Sequence, residues 1–241
     1  AGGFVEVSSG ETLTFNGNVR AGVGNRTGTL LLDPKNITIG SGTSDSISSA
    51  VFATNSSSNS TITPTTITSA LSAGTNVVLQ SNNDITVSSA VTANNGSGDG
   101  GNLTLQAGRS ILVNANITTD NGDLTLTAND TGAVAGQRDS GAAAITMNGS
   151  TIDTGTGTFT ATLSTNSTSG DITLNTVKAA ALVIANNGTT AGSDILDSGV
   201  LTVSGTSSFT TAVSDGVITL DSTNVFSEAV TLNTNSSSTS A

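Results

Sequence analysis

The sequence predicts an all-β fold: a right-handed parallel β-helix of about twelve rungs. Three observations carry this. A four-residue word, a polar or small residue followed by aliphatic, Thr and aliphatic, recurs along the chain, as in Asn36-Ile37-Thr38-Ile39, Asp84-Ile85-Thr86-Val87, Asn102-Leu103-Thr104-Leu105 and Asp123-Leu124-Thr125-Leu126. It returns at Ala144-Ile145-Thr146-Met147, Asp171-Ile172-Thr173-Leu174, Val200-Leu201-Thr202-Val203, Val217-Ile218-Thr219-Leu220 and Ala229-Val230-Thr231-Leu232. The central copies start at 84, 102, 123 and 144, steps of 18, 21 and 21 residues, so one structural unit is stacked on copies of itself. Finally, 28 Gly, 2 Pro and abundant Thr, Ser and Asn suit short strands joined by tight turns.

Each word alternates strictly, so in a strand its aliphatic residues point inward and its Thr outward. Residues 102 to 122 serve as the reference rung. Asn102 to Gln106 is a strand, Ala107-Gly108 a corner, Ser110 to Asn114 a second strand, Ile117-Thr118 a third, and Asp120-Asn121-Gly122 a turn. Weaker strands follow at Val91, Ile111 to Val113, Ile117, Ile152, Val177, Ile195 and Phe209, separated by turn signals such as Asn94-Asn95-Gly96 and Asn186-Asn187-Gly188. An antiparallel sandwich requires paired hairpins of similar length, and a propeller repeat is about twice as long. Twelve rungs spaced at ~4.8 Å give a rod roughly 55 Å long.

Two departures from the pattern are expected. Residues 54 to 63 are a Ser/Asn/Thr run, and helix punctuation follows it: Thr63 as N-cap, Pro64 at the first helical position, Ile67, Ala70 and Leu71 on one face, and Gly74 as terminator. This reads as a short helical or loop insertion near 54–74, protruding between rungs with its apolar face laid on the rod. A second irregular insertion is expected at Thr131 to Gly141, carrying Arg138 and Asp139. The word step then lengthens to 27 and 29 and shortens to 17 and 12, so the repeat reads as regular only in the middle, with the word marking one face of each coil.

Cys and His are absent, which removes disulfides, thiolate and imidazole metal ligands, a thiolate nucleophile and an imidazole base. Six Lys and Arg against 17 Asp and Glu give a formal net charge of −11, which argues against nucleic acid and anionic membrane surfaces as partners. No apolar stretch of membrane-spanning length is present. The start, Ala1-Gly2-Gly3-Phe4-Val5, lacks a signal-peptide pattern, and the end fades into Asn235-Ser236-Ser237-Ser238-Thr239-Ser240-Ala241, so 1–241 reads as a single β-helix repeat region from a longer chain.

The runs Gly28-Thr29-Leu30-Leu31-Leu32-Asp33-Pro34-Lys35-Asn36-Ile37-Thr38-Ile39, Asn82-Asn83-Asp84-Ile85-Thr86-Val87 and Gly101-Asn102-Leu103-Thr104-Leu105-Gln106-Ala107-Gly108-Arg109-Ser110-Ile111 resemble the interior repeats of filamentous haemagglutinin-like exoproteins, the large surface proteins of bacterial two-partner secretion systems. The likeness covers most of residues 1 to 165 and the rest loosely; the family's N-terminal secretion domain is not recognisable. It implies a secreted or cell-surface β-helical rod serving in adhesion, biofilm formation or toxin delivery.

The expected function is accordingly a non-enzymatic extracellular rod of a surface adhesin, with end-to-end self-association into a filament and a host or cell-surface glycan or protein as candidate partners. The alternative is a carbohydrate-binding or carbohydrate-active β-helix, which six Phe without Trp or Tyr disfavour. No catalytic, cofactor or metal residue is assigned. Lys35, Lys178, Arg20, Arg26, Arg109 and Arg138 read as scattered, and Asp84, Asp123 and Asp171 sit at strand starts where local backbone bonding is expected. Gly96-Ser97-Gly98-Asp99-Gly100-Gly101-Asn102 hints at a calcium β-roll nonapeptide but occurs once, so it reads as a turn. The Thr column (Thr86, Thr104, Thr125, Thr146) has the residue type of an ice-binding face but lacks its paired Thr-x-Thr register, and reads as a soluble β-branched ladder. Sequons at Asn25, Asn55, Asn59, Asn116, Asn148 and Asn187 leave surface glycosylation open.

Overall fold

The computed structural model describes residues 3–6, 28–32, 35–42 and 59–235. They form three parallel sheets of nine, six and eight strands, wound as one right-handed coil. In the first sheet (sheet I) the strands run Phe4–Glu6, Thr29–Leu32, Asn76–Ser81, Leu103–Ala107, Leu124–Ala128, Thr158–Leu163, Ala181–Asn186, Ser207–Thr211 and Val230–Thr234. Sheet II takes the second strand of each coil, from Asn36–Ile39 to Ile218–Thr219, and sheet III the third, from Val91–Thr92 to Val225–Phe226. Seven coils result, beginning with sheet I strands at 29, 76, 103, 124, 158, 181 and 207; they are numbered 1 to 7 below.

The reference rung is as read: strands at 103–107, 111–113 and 117–118, with Asp120 and Asn121 in left-handed turn conformation at φ 56° and 68°. The rung count is not. Nine stacked strands span about 38 Å rather than 55 Å, because the true coil is longer than twenty residues. Phe159, Leu182, Ser207 and Val230 face one another in successive coils, giving steps of 23, 25 and 23 residues. The last third is therefore the regular part, contrary to the word spacing.

The word misleads because it occurs on all three faces. The copies at 36, 84, 144, 171 and 217 lie in sheet II, those at 102, 123 and 229 in sheet I, and that at 200 in sheet III. Any strand with one buried face favours alternating aliphatic and Thr, so the word marks strands and not a particular side. Thr104 does stack between Thr125 and Val78, and Thr125 on Thr160, but Thr86 and Thr146 belong to sheet II, where Leu112 stands between them.

Inward side chains form continuous columns. In sheet I one column runs Val77, Leu103, Leu124, Phe159, Leu182, Ser207, and its neighbour Leu79, Leu105, Leu126, Ala161, Ile184, Phe209. Where one column carries Phe, the other carries Ala or Ser in the same strand, which keeps each layer's volume nearly constant. All these aliphatic and aromatic residues are buried.

The helix (α1, Pro64–Ser72) forms as read and ends before Gly74, whose φ is +70°. It does not protrude. Residues Asn59–Ile62, expected within the insertion, form a strand that adds to sheet II beyond Asn36–Ile39. From there α1 fills the third side of coil 1 beneath Val91–Thr92, with Ile67, Ala70 and Leu71 sealed into the core. Thr68 Oγ1 accepts the Thr92 N–H and Ser72 Oγ the Asn94 N–H, so the helix serves the free edge of sheet III with side-chain acceptors. The Thr63 hydroxyl meets Thr66 Oγ1 at 3.1 Å instead of capping the helix backbone.

Candidate functional site

The strand-start Asp and Asn residues do bond backbone, but not locally: each reaches the coil above. In sheet I, Asn76 Oδ1 accepts the N–H of Asn102 (2.8 Å), Asn102 Oδ1 that of Asp123 (2.9 Å), and Asp123 Oδ1 that of Thr158 (2.8 Å). In sheet II, Asn36 Oδ1 accepts from Asp84 (3.0 Å), Asp84 Oδ1 from Ser110 (3.0 Å), Asp171 Oδ1 from Asp194 (3.0 Å) and Asp194 Oδ1 from Val217 (2.8 Å). A corner turns the chain out of the ladder, and an amide there needs an acceptor. The polar first residue of the word supplies it to the next coil.

The basic residues are not scattered. Four of them lie among the described residues, and three, Lys35, Arg109 and Arg138, converge on one corner between sheets I and II; Arg20 and Arg26 lie outside the described residues. The second insertion brings them together. It occupies 129–142 of coil 4, contains a 3-10 turn at Ala135–Gln137, and folds back over coils 3, 2 and 1 as a strap. Asn129, buried at φ 54°, anchors its start by donating to the carbonyls of Ser164 and Ser167 in coil 5.

Along the strap, the Val134 N–H donates to Asn82 Oδ1 (2.9 Å), Arg138 Nε to the Gly108 carbonyl (2.7 Å), and the Asp139 N–H to Asn83 Oδ1 (3.0 Å). Asn83 Nδ2 returns a bond to Asp139 Oδ2 (2.9 Å), and Lys35 Nζ of coil 1 lies 2.9 Å from Asp139 Oδ1. Arg109 grips Asp84 with two nitrogens, Nε to Oδ1 at 2.9 Å and Nη2 to Oδ2, while Nη1 donates to the Ser140 carbonyl (2.8 Å).

Lys35, Arg109 and Arg138 here face the carboxylates of Asp84 and Asp139 in a chain of net charge −11. The bond to Asp84 raises the Arg109 pKa above its ordinary value, burial lowers that of Arg138 with Arg109 adding repulsion, and the bond from Lys35 holds Asp139 below the usual carboxylate range. Both carboxylates are spent on partners within the corner. The Arg138 Nη2 is enclosed with no hydrogen-bond partner. The arrangement is a clasp spanning four coils, held by groups that neutralise one another.

Because the Asp139 pKa is lowered on folding, its contribution is present above its unfolded value and is lost as pH falls through the folded one. Acidification below about pH 4 is therefore expected to loosen the strap. Hydrogen exchange is expected to rise at 130–142 before it rises in the flanking strands, and Asp139→Asn should remove the pH dependence of that segment. Uniform exchange across the coils on acidification contradicts this.

The remaining candidates are placed as follows. The Gly96–Asn102 segment is a turn between coils 2 and 3: Asn95 Oδ1 accepts from the N–H and hydroxyl of Ser97, and Asn95 Nδ2 donates to the Asp99 carbonyl. Among the described residues no group of three or more Asp or Glu is placed to hold a metal ion, and no helix is long and apolar enough to cross a membrane. An open cleft of about 410 Å³ lies at the sheet I–II corner of coils 6 and 7, and its one ionisable lining residue, Asp215, accepts the Gly192 N–H at 3.1 Å. Asn59, Asn116 and Asn148 are exposed and Asn187 half-buried, while Asn25 and Asn55 lie outside the described residues.

The strap was signalled in the sequence as an insertion, but its target was not, since Lys35 and Asp139 are 104 residues apart. The fold and its corner define a right-handed parallel β-helical repeat protein. Comparison with protein-family models, curated proteins and solved structures finds no match.

Proposed function

We propose that this chain is a non-enzymatic shaft segment of a filamentous haemagglutinin-like surface adhesin, secreted to the bacterial cell surface. The observation that carries the reading is the stack of three parallel sheets around one continuous aliphatic core, which is a stiff element suited to projection. The outer face of sheet I supports it: along Val78, Thr104, Thr125, Thr160, Val183, Ser208 and Thr231 and along Gln80, Gln106, Thr127, Thr162, Ala185, Thr210 and Asn233 no side chain is charged. The clasped corner, whose carboxylates are paired internally, supports a mechanical role over catalysis.

We further propose end-to-end contact beyond coil 7, at the strand Val230–Thr234, near which Val217, Val225 and Leu232 are exposed. A coil stacked there would pair the strand edge and cover these side chains.

Electron microscopy of the producing cell surface with an antibody to this chain tests the reading. Labelled rods or fibres projecting from the envelope are expected. Depolymerisation of a polysaccharide by the purified chain, or label confined to the cell interior, would overturn it in favour of the carbohydrate-active alternative or of neither.

A further inference from the structure

Four Asn-Gly pairs lie among the described residues, at Asn95, Asn121, Asn148 and Asn187. This dipeptide is the one most prone to close on itself, because glycine offers no side chain to hinder approach of its own nitrogen to the Asn carbonyl carbon. The fold treats the four differently.

At Asn121 the backbone is held at φ 68°, the side-chain Oδ1 accepts the Thr156 N–H (3.0 Å), and Gly122 is wedged against the Gly101 carbonyl. The Gly188 N–H is committed to Asn186 Oδ1 (3.1 Å) and Gly188 is buried against Ser169. Asn95 is fixed at both ends of its amide, by Ser97 and by the Asp99 carbonyl.

Gly96 is exposed and open as well, so Asn95 is held by its side-chain bonds alone; Asn148 has an open glycine and a looser amide. It follows the sheet II strand Ala143–Met147 at an outer corner of coil 4, where both it and Gly149 are exposed. Gly149 has φ +64° and nothing within 4 Å of the position a Cβ would take, and its N–H donates to no group among the described residues. The amide makes one side-chain bond, from Nδ2 to Asn114 Oδ1 of the coil below (2.6 Å).

We propose that Asn148 is a site of spontaneous deamidation and isoaspartate formation in the folded rod. The Gly149 nitrogen gives its proton to solvent base and attacks Cγ of Asn148. A bond forms between that nitrogen and Cγ, the Cγ–Nδ2 bond breaks, and the side-chain nitrogen leaves as ammonia. Water then opens the five-membered imide at one of its two carbonyls, giving either Asp or an isoaspartyl link in which the main chain runs through Cγ. Either product replaces a donor to Asn114 by a carboxylate, setting acceptor against acceptor at the corner; the isoaspartyl link also adds one backbone carbon between sheets II and III.

The test is peptide mapping of the whole purified chain during incubation in mildly alkaline buffer, with an isoaspartyl methyltransferase to mark the product. A free peptide spanning 144–152 gives the unconstrained rate. Conversion at Asn148 is expected to run roughly tenfold or more ahead of Asn121 and Asn187, whose reaction needs local opening of the coil, and ahead of Asn95. Asn148→Gln should keep the circular dichroism and melting temperature and lose the fast conversion. The proposal is overturned if Asn148 stays an amide while the free peptide converts, or if any of the other three keeps pace with it.

Discussion

Phe159→Ala is expected to destabilise the rod by about 4 kcal/mol and to lower its melting temperature by roughly 8–16 °C. Phe159 is wholly buried and stands in the sheet I column between Leu124 and Leu182. Its inward neighbour in the same strand is Ala161, which is too short to fill the space that a truncated Phe159 leaves. In a stacked solenoid each coil touches only its neighbours, so the damage should be greatest in coils 4 to 6. Thermal unfolding followed by circular dichroism gives the size, and hydrogen exchange the location. A loss below about 1 kcal/mol would mean that the layer repacks, and that the pairing of Phe with a small neighbour is not what sets its volume.

Gly101→Ala is expected to cost about 3 kcal/mol, through backbone and not through cavity. A Cβ there would lie 2.0 Å from the Thr75 carbonyl oxygen and 2.4 Å from its carbon. The same collision repeats up the corner between sheets III and I: a Cβ on Gly122 would lie 2.3 Å from the Gly101 oxygen, and one on Gly157 2.5 Å from the Gly122 oxygen. Gly101 is not in the left-handed region, so its requirement is close approach of stacked chains and not conformational freedom. Its N–H also holds the end of α1 through the Leu71 carbonyl (2.8 Å), so the helix should loosen together with coil 3. Gly96→Ala and Gly98→Ala, with nothing within 4 Å of the added carbon, serve as controls and should change stability by no more than about 0.5 kcal/mol. Equal effects at all three positions would refute the close-approach account.

These two sites separate what is local from what is not. Alternation of aliphatic and Thr residues determines by itself that Leu103, Leu105, Leu124 and Leu126 face inward, because a strand exposes successive side chains to opposite sides. Local punctuation likewise determines α1: Pro64 fits the first turn, Ile67, Ala70 and Leu71 share a face, and Gly74 takes a positive φ. The polar residue before each strand is visible in the sequence too, though its partner is not. Asp84 has nearby amides in the chain, and it is the stacking that offers it the N–H of Ser110, 26 residues on.

The phase of the coil was hidden for a related reason. Three faces obey the same alternation, so counting words counts strands, and only hydrogen bonding between chains says which strand lies above which. Thus Leu124 pairs with Phe159, across the 129–142 strap, and not with the nearer Ile145. The charged corner is the extreme case. Coulomb attraction and hydrogen bonding depend on distance in space, and the chain separation of Lys35, Arg109 and Asp139 carries no trace of it. Sequence alone determined the class of fold, its buried residues and its helix; the tertiary structure decided the number of coils, the in-line seat of α1 and the clasp, because each of these is set by which coil comes to rest on which.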